Sequence, residues 1–321
     1  MVPAYLKAFE SGKLAQTIEQ ARQLLSSCEL CPRACKINRL EGKKGVCKTG
    51  FPAEVYSFMP HHGEEPAISG ERGSGTIFFS QCTMRCCYCQ NFEFSQAEGQ
   101  GRAVNDRELA DIMLELQGMG CHNLNFVTPT HVMPQILAAL VPAIEKGLNI
   151  PLVYNTSGYE LPEMVRLLDG IIDIYLPDMR YADNGMAVKY SQAPDYPAYN
   201  QASVREMHRQ TGVAQMDDNG IIERGVIIRH LVLPGNASGT EKVMEFIAQE
   251  LSPDTYISLM SQYMPSYRAG EFPELNRRIT LKEYEQARAA MEQYGLHNGW
   301  IQESRGLARF AGTNIKPSFK K

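Results

Sequence analysis

No apolar run in this chain approaches the roughly 18–20 residues that a membrane-crossing helix needs. The opening stretch, MVPAYLKAFESGKL, lacks a basic region followed by continuous apolar residues, so no secretory signal is legible. Basic charge is not in excess either. Lys and Arg total 32 against 36 for Asp and Glu, a net charge of −4. That excludes the strongly basic footprint of a general nucleic-acid binder. Internal repeats, low-complexity tracts and long charge runs are also missing. These absences predict a cytoplasmic protein that works neither in a membrane nor on nucleic acid. What remains is globular: 321 residues, 44% hydrophobic and 21% charged. That length suits two ordinary domains or one α/β barrel. It buries about three quarters of the unfolded surface, enough for a core without disulfides.

Cysteine is the residue in surplus. There are nine: Cys28, Cys31, Cys35, Cys47, Cys82, Cys86, Cys87, Cys89 and Cys121. Eight fall in two short clusters. An odd count in a cytosolic chain points to metal or redox chemistry before disulfides.

The pattern along the chain gives the architecture. Leu14, Ile18, Ala21 and Leu25 have helical spacing and predict a docking helix over 4–25. Residues 28–75 hold cysteines, Gly42, Gly45, Gly50 and the run HHGEEP, and read as a loop-rich segment built around a metal. From residue 76 strands and helices alternate. Strands are expected at 76–80, 123–127, 151–155, 170–176, 225–233 and 255–260, with helices between them. Asn105 is placed to cap the first of those helices, and Thr280 with Glu283 to box the start of the last. Continuous apolar strands alternating with helices predict a parallel sheet covered by helices. Six units in about 220 residues predict α/β architecture of the partial (β/α)6, TIM-like kind, since a full eight-unit barrel takes about 250. The expected division is residues 1–75 for the helix and four-cysteine segment, and 76–321 for the barrel with its C-terminal tail. Chemistry is then expected at the C-terminal ends of the strands.

Directly after the first of those strands stands QCTMRCCYCQN. Cys82, Cys86 and Cys89 form C-x3-C-x2-C, with Tyr88 before the last thiol. Three thiolates on one tight loop leave one iron of a [4Fe–4S] cluster without a protein ligand, and a reactive centre needs such an opening. A structural zinc completed by a distant fourth ligand is the plainer alternative.

This loop resembles the signature of the radical S-adenosylmethionine (SAM) superfamily. Further stretches, among them CELCPRAC, HHGEEPAISG, NFVTPTHVMPQI, LVYNTSGYE, DIYLPDMRY, RHLVLPG and SQYMPSY, resemble an uncharacterised branch of pyruvate formate-lyase activating enzyme homologues. The resemblance implies a partial barrel, a [4Fe–4S] cluster on Cys82, Cys86 and Cys89, and SAM on its open iron. It implies Tyr88 beside the adenine. The second strand commonly ends in Gly-Gly-Glu-Pro, which meets the SAM amino group. Here Thr128-Pro129-Thr130-His131 stands instead, so Thr128 and Thr130 take that place. Asn155 and Thr156 end the third strand, and Asp178 and Arg180 end the fourth, where the family sets polar residues against SAM. Arg229 and His230 are adjacent in the fifth strand, so only one of them points inward.

Cys28, Cys31, Cys35 and Cys47 form C-x2-C-x3-C-x11-C. Four thiolates close a complete site, either a second [4Fe–4S] cluster or a structural Zn²⁺. Cys87 and Cys121 are left over and are expected as buried thiols. His61, His62, Glu64 and Glu65 suit a metal, a substrate contact or a loop at the barrel mouth.

The function expected is that of a radical SAM enzyme. It reductively cleaves SAM to a 5′-deoxyadenosyl radical and abstracts hydrogen from an unknown substrate, as glycyl-radical activases do. An electron donor such as a flavodoxin or ferredoxin is the expected partner, with a protein substrate as the open alternative to a small molecule. A closed mouth, built from residues 51–75 or the C-terminal tail, would mark a small-molecule enzyme. The competing readings are a non-catalytic iron–sulfur electron carrier and a zinc-organised interaction module.

Overall fold

The computed structural model describes residues 1–302 and 318–319. The N-terminal stretch, expected as one helix, is two: α1 (Ala4–Glu10) and α2 (Lys13–Gln23). They part at Gly12, whose φ of +78° is the left-handed turn that glycine adopts without a Cβ clash. Leu14, Ala21 and Leu25 are buried, as their spacing requires.

The segment 28–75 holds more regular structure than its composition suggests. β1 (Ala53–His61) pairs antiparallel with β2 (Ser74–Phe79), and α3 (Pro66–Ser69) lies between them. Both faces of β1 carry apolar groups, Ala53, Val55 and Phe58 on one and Tyr56 and Met59 on the other, with a bulge between Val55 and Ser57. A clean two-residue alternation is therefore absent from its sequence.

The chain continues through α4 (Phe92–Ser95), β3 (Arg102–Val104), α5 (Asp106–Gly118), β4 (Leu124–Val127), α6 (Met133–Glu145), β5 (Leu152–Thr156) and α7 (Pro162–Leu167). Then come β6 (Ile174–Pro177), α8 (Asn184–Ser191), α9 (Tyr196–Thr211), β7 (Gln215–Met216), β8 (Ile222–Leu231) and α10 (Thr240–Phe246). β9 (Tyr256–Met260), α11 (Leu281–Gln293) and β10 (Gly299–Ile301) complete it. Both expected caps are present, and the Asn105 cap is a full box as well. Asn105 accepts from the backbone of Glu108 at 3.0 Å and Thr280 from that of Glu283 at 3.2 Å, with each glutamate reaching back.

One sheet organises the molecule, in the order β10-β9-β8-β6-β5-β4-β2-β1-β3. Every neighbouring pair from β2 to β10 is parallel, and β1 and β3 add an antiparallel edge. The sheet is open, not closed. All six expected strands are in it, and β10 adds a seventh parallel one. β2, β5 and β6 are buried along their whole length, which is why they read as continuous apolar runs.

The two faces of the sheet have different cores. Leu152, Tyr154, Tyr175 and Ile228 pack against the helices in the main cluster. Their neighbours Val153, Ile174 and Ile227 face the other way, as adjacent strand residues must, and pack with Ala67 and Ile68 of α3. The short helix after HHGEE is therefore a plug on the inner face. Asn123 holds it by donating to the Ile68 carbonyl at 2.8 Å. Among the described residues, no helix is long and apolar enough to cross a membrane.

Candidate functional site

The three-thiol loop leaves β2 through Ser80 and Gln81, the latter at a φ of +73°. Backbone bonds pin the loop to its neighbours. Arg85 N–H donates to Ser191 O at 3.1 Å, Cys87 N–H to Tyr190 O at 2.8 Å, and Arg268 N–H to Cys87 O at 2.8 Å. Cys89 N–H donates to Cys86 O at 3.3 Å and closes the turn that carries the last two thiols. Each sulfur of the motif has a polar neighbour. The Cys82 sulfur accepts from Met84 N–H at 3.4 Å. Ser191 Oγ donates to Cys86 Sγ at 3.1 Å and Arg180 Nη1 at 3.5 Å. Ser95 Oγ lies 3.1 Å from Cys89 Sγ.

Burial pushes the Cys82 thiol up to about 12, and proximity to Cys86 and Cys89 adds to it. The Cys89 thiol is raised by burial and then by Cys86. These three thiols feel one another. Cys87 is raised to about 12 by burial and feels Cys86, but its other charged neighbours are Arg268 and Glu271. Buried thiols of this kind become thiolates only with a cation beside them, which a coordinated metal supplies. All nine cysteines are free, and among the described residues no three His, Cys, Asp or Glu side chains are drawn together as tightly as the ligands of one ion.

A cavity of about 620 Å³ opens beside this loop. Strand ends wall it: Asn155 of β5, Asp178 after β6, Arg229 of β8, and Ser258 and Met260 of β9. Tyr88 and Cys89 line it from the loop, and Glu64 and Glu65 from the plug. The Tyr88 hydroxyl is 2.6 Å from that of Tyr181, and its ring meets Tyr263 edge-on at 5.7 Å.

Charges in the cavity alternate. Asp178 Oδ2 accepts from Arg180 Nη2 at 2.5 Å, and Oδ1 accepts from Arg229 Nε at 2.9 Å. Arg229 also donates to Asn155 Oδ1 at 2.6 Å and reaches Glu64 at 3.5 Å. Burial works against the Asp178 charge, but Arg229 and Arg180 outweigh it and hold the carboxyl below the usual range. The neighbouring His230 points out of the cavity. It contacts Met179 O at 2.6 Å and Thr240 Oγ1 at 2.9 Å, and burial lowers it to about 4. That settles which of the adjacent pair faces inward.

Tyr88, Asn155, Asp178 and Arg229 therefore share the cavity with Cys89. Thr128 and Thr130 do not line it. Thr130 turns behind the strand ends, where its hydroxyl donates to Glu160 Oε1 at 2.5 Å, and Thr156 donates to the same oxygen. The reason lies in Thr128, whose φ of +54° swings the following turn away from the inner face. Of the four residues in the histidine–glutamate run, His61, Glu64 and Glu65 line the cavity, while the ring of His62 lies against Gly73. Sequence reasoning assigned no role to Gln90, Ser258, Gln262 and Trp300, which also line it. The strand-end rule applied to β9 points to Ser258 and Gln262. Trp300 had no such signal, because three residues are too few to read as a strand.

The other four cysteines enclose a second, small pocket with Arg33, Arg39 and His131 on its rim. Gly45 is needed there, since a Cβ would stand 2.8 Å from Cys35 Sγ. Buried Arg39 braces the segment through Gly50 O at 2.7 Å and ties it to the barrel through His131 O at 2.8 Å. Two arginines cross between the cysteine segments. Arg33 Nε donates to Thr83 O at 3.0 Å, and Arg85 donates back to Val46 O.

A family model for the Radical SAM superfamily matches residues 76–183, from β2 to just beyond Arg180. The chain carries a domain of this superfamily. An uncharacterized protein of Methanocaldococcus jannaschii is 31% identical over 288 residues, covering 87% of this chain and 78% of that one. Among solved structures, a radical SAM methyltransferase from Sphaerobacter thermophilus overlaps 72% of this chain and 67% of its own, at 14% identity and a TM-score of 0.46. Methylornithine synthase overlaps 77% and 83%, at 12% identity and a TM-score of 0.45. Within this radical SAM chain the tail beyond Gln302, one of the two expected mouth-closing segments, lies outside the described residues apart from Ser318 and Phe319.

Glu160, the acceptor for Thr130, carries a pH dependence of its own. Burial raises its carboxyl from 4.5 to about 7, against hydrogen bonds from Thr130, Thr156 and Tyr154. The folded state then binds the proton more tightly than the unfolded one. Its contribution to stability is complete below the unfolded value and is lost as pH rises to about 7. Glu160→Gln is expected to remove that loss and to be more stable than the parent at pH 8 by roughly 3 kcal/mol. Denaturant melts of both proteins at pH 4.5 and 8 check this. Parallel pH dependences would show that Glu160 is not the group responsible.

Proposed function

We propose that the chain is a radical SAM enzyme whose cluster sits on Cys82, Cys86 and Cys89 and whose substrate enters the cavity of about 620 Å³ beside them. One observation carries this reading: the three-thiol loop and the polar ends of β5, β6 and β8 meet at one cavity. When bound, the cluster and SAM supply one-electron cleavage of the sulfonium to methionine and a hydrogen-abstracting 5′-deoxyadenosyl radical. The chain's own residues do the rest. Arg180 and Ser191 donate to the Cys86 sulfur, and such bonds to a cluster ligand tune its potential. Tyr88 offers a flat apolar wall to an adenine. Asp178 holds Arg180 and Arg229 in place, so its role toward SAM is to position cations as much as to accept hydrogen bonds. The finer reading is hydrogen abstraction of the glycyl-radical-activase kind, supported by the sequence stretches that resemble that branch. An external donor such as a flavodoxin or ferredoxin would deliver the electron. The free thiols suit a reducing, cytoplasmic compartment. Anaerobic reconstitution with iron and sulfide, followed by reduction and quantification of 5′-deoxyadenosine, tests the reading. Absence of SAM cleavage in a protein with a full cluster would sink it.

The thiols of Cys28, Cys31, Cys35 and Cys47 we assign to a second metal centre, with a [4Fe–4S] cluster favoured over Zn²⁺. Their shared pocket, the fit of Gly45 and the crossing arginines support a built site next to the first. A variant lacking Cys82, Cys86 and Cys89 is expected to keep this metal. Elemental analysis that finds neither iron nor zinc in that variant would remove the second site. Zinc alone would keep the site and reject the cluster.

A further inference from the structure

The plug carries an acidic group that the proposed chemistry leaves unused. Glu64 and Glu65 lead into α3 on the inner face, so their carboxyls form the cavity floor. The charged groups lining the cavity are Glu64, Glu65, Asp178, Arg180 and Arg229, with His61 beside them. Asp178 is matched by both arginines, and Glu64 by Arg229 and His61. Three carboxylates thus face two guanidinium groups, and Glu65 is the one left over. It is only 8% exposed, and its Oε2 has no hydrogen-bond partner. Arg229 acts on it from a distance but is committed to Asp178, Asn155 and Glu64.

Burial, with Glu64 beside it, raises the Glu65 carboxyl despite Arg229, so its charged form with a free buried oxygen is costly until a cation meets it. A protonated amine supplies both the charge and the donors. The cavity volume of about 620 Å³ is that of a small-molecule site. Contacts run from Cys86 to Arg180, Asp178, Arg229 and Glu64 in turn. Glu65 follows Glu64, the last member of that chain, on the cavity floor. We propose that the substrate is a small molecule bearing a protonated amine, and that Glu65 holds this amine on the cavity floor. The proposal rests on the radical SAM reading above and names the substrate class for it, a small molecule in place of the protein that a glycyl-radical activase acts on.

Trp300, the single tryptophan, lines the same cavity, so its fluorescence reports on this site. The reconstituted protein is titrated with butylammonium and with butanol, each with and without SAM. Butylammonium is expected to move the signal saturably and to bind about tenfold or more tightly than butanol, the scale of one charge-assisted hydrogen bond. Glu65→Gln, which keeps the shape, is expected to lose that preference. Equal binding of the two probes to the parent protein overturns the proposal, whether or not the variant folds. So does a signal that neither probe moves, or a preference that survives in folded Glu65→Gln. If SAM displaces butylammonium, Glu65 serves the cofactor and the proposal also falls. Failure of the wider reading appears elsewhere, as missing 5′-deoxyadenosine in the cleavage assay, which the titration does not use.

Discussion

Replacing Cys82, Cys86 and Cys89 together by alanine is expected to remove about four irons per chain and to abolish SAM cleavage. Cys87→Ala is expected to retain the cluster. The structure sharpens the contrast between these adjacent thiols. The thiols of Cys82 and Cys89 sense Cys86 and Arg180. That of Cys87 senses Cys86 too, but its further charged neighbours are Arg268 and Glu271, and its backbone is held on both sides by Tyr190 and Arg268. Iron and sulfide analysis of the triple variant, Cys86→Ala and Cys87→Ala, with the absorption spectrum of each, decides the matter. A cluster lost in Cys87→Ala and kept in Cys86→Ala would reverse the ligand assignment.

Arg229→Ala is expected to destabilise the protein by about 3–5 kcal/mol, the cost of stripping one partner from a buried ion pair. Arg229 is the residue on which the cavity's anions converge. Its side chain is 18% exposed, with Asp178 and Glu64 at 8% and 9%. Without it Asp178 keeps only Arg180, Glu64 keeps only His61, and Asn155 loses its donor. Arg229→Lys is expected to recover only part of the loss. One ammonium cannot repeat the fork that reaches Asp178, Asn155 and Glu64 at once. Denaturant midpoints measured on parent and variants check both statements. A loss below about 1 kcal/mol for Arg229→Ala would place the group among screened surface pairs instead. Asp178→Ala is expected to act in the same sense, so its effect on SAM binding must be read on folded protein.

Much of this protein is determined by local sequence. The six apolar strand runs, the two helix caps and the three-thiol loop at a strand's end each rest on a short stretch of chain. They are legible because strand burial, helix caps and ligand spacing act over a few residues. The N-terminal helix needed only one more local fact, the left-handed turn at Gly12, to be read as two. Other features depend on residues far apart in the chain. β1 shows no alternation because it is covered on both faces, and α3 is a plug only because β5, β6 and β8 bring Val153, Ile174 and Ile227 to meet it. Sequence position put Thr130 at a strand end, but the turn at Thr128 sent its hydroxyl to Glu160. Sequence left Arg229 and His230 undecided, since alternation says only that they face opposite ways. The packing chose, because Thr240 and the Met179 carbonyl bond the imidazole on the helix side while Asp178 and Asn155 wait for the guanidinium in the cavity. Spacing along the chain determined which ligands exist. Which polar groups share their cavity was decided by the order and curvature of the sheet.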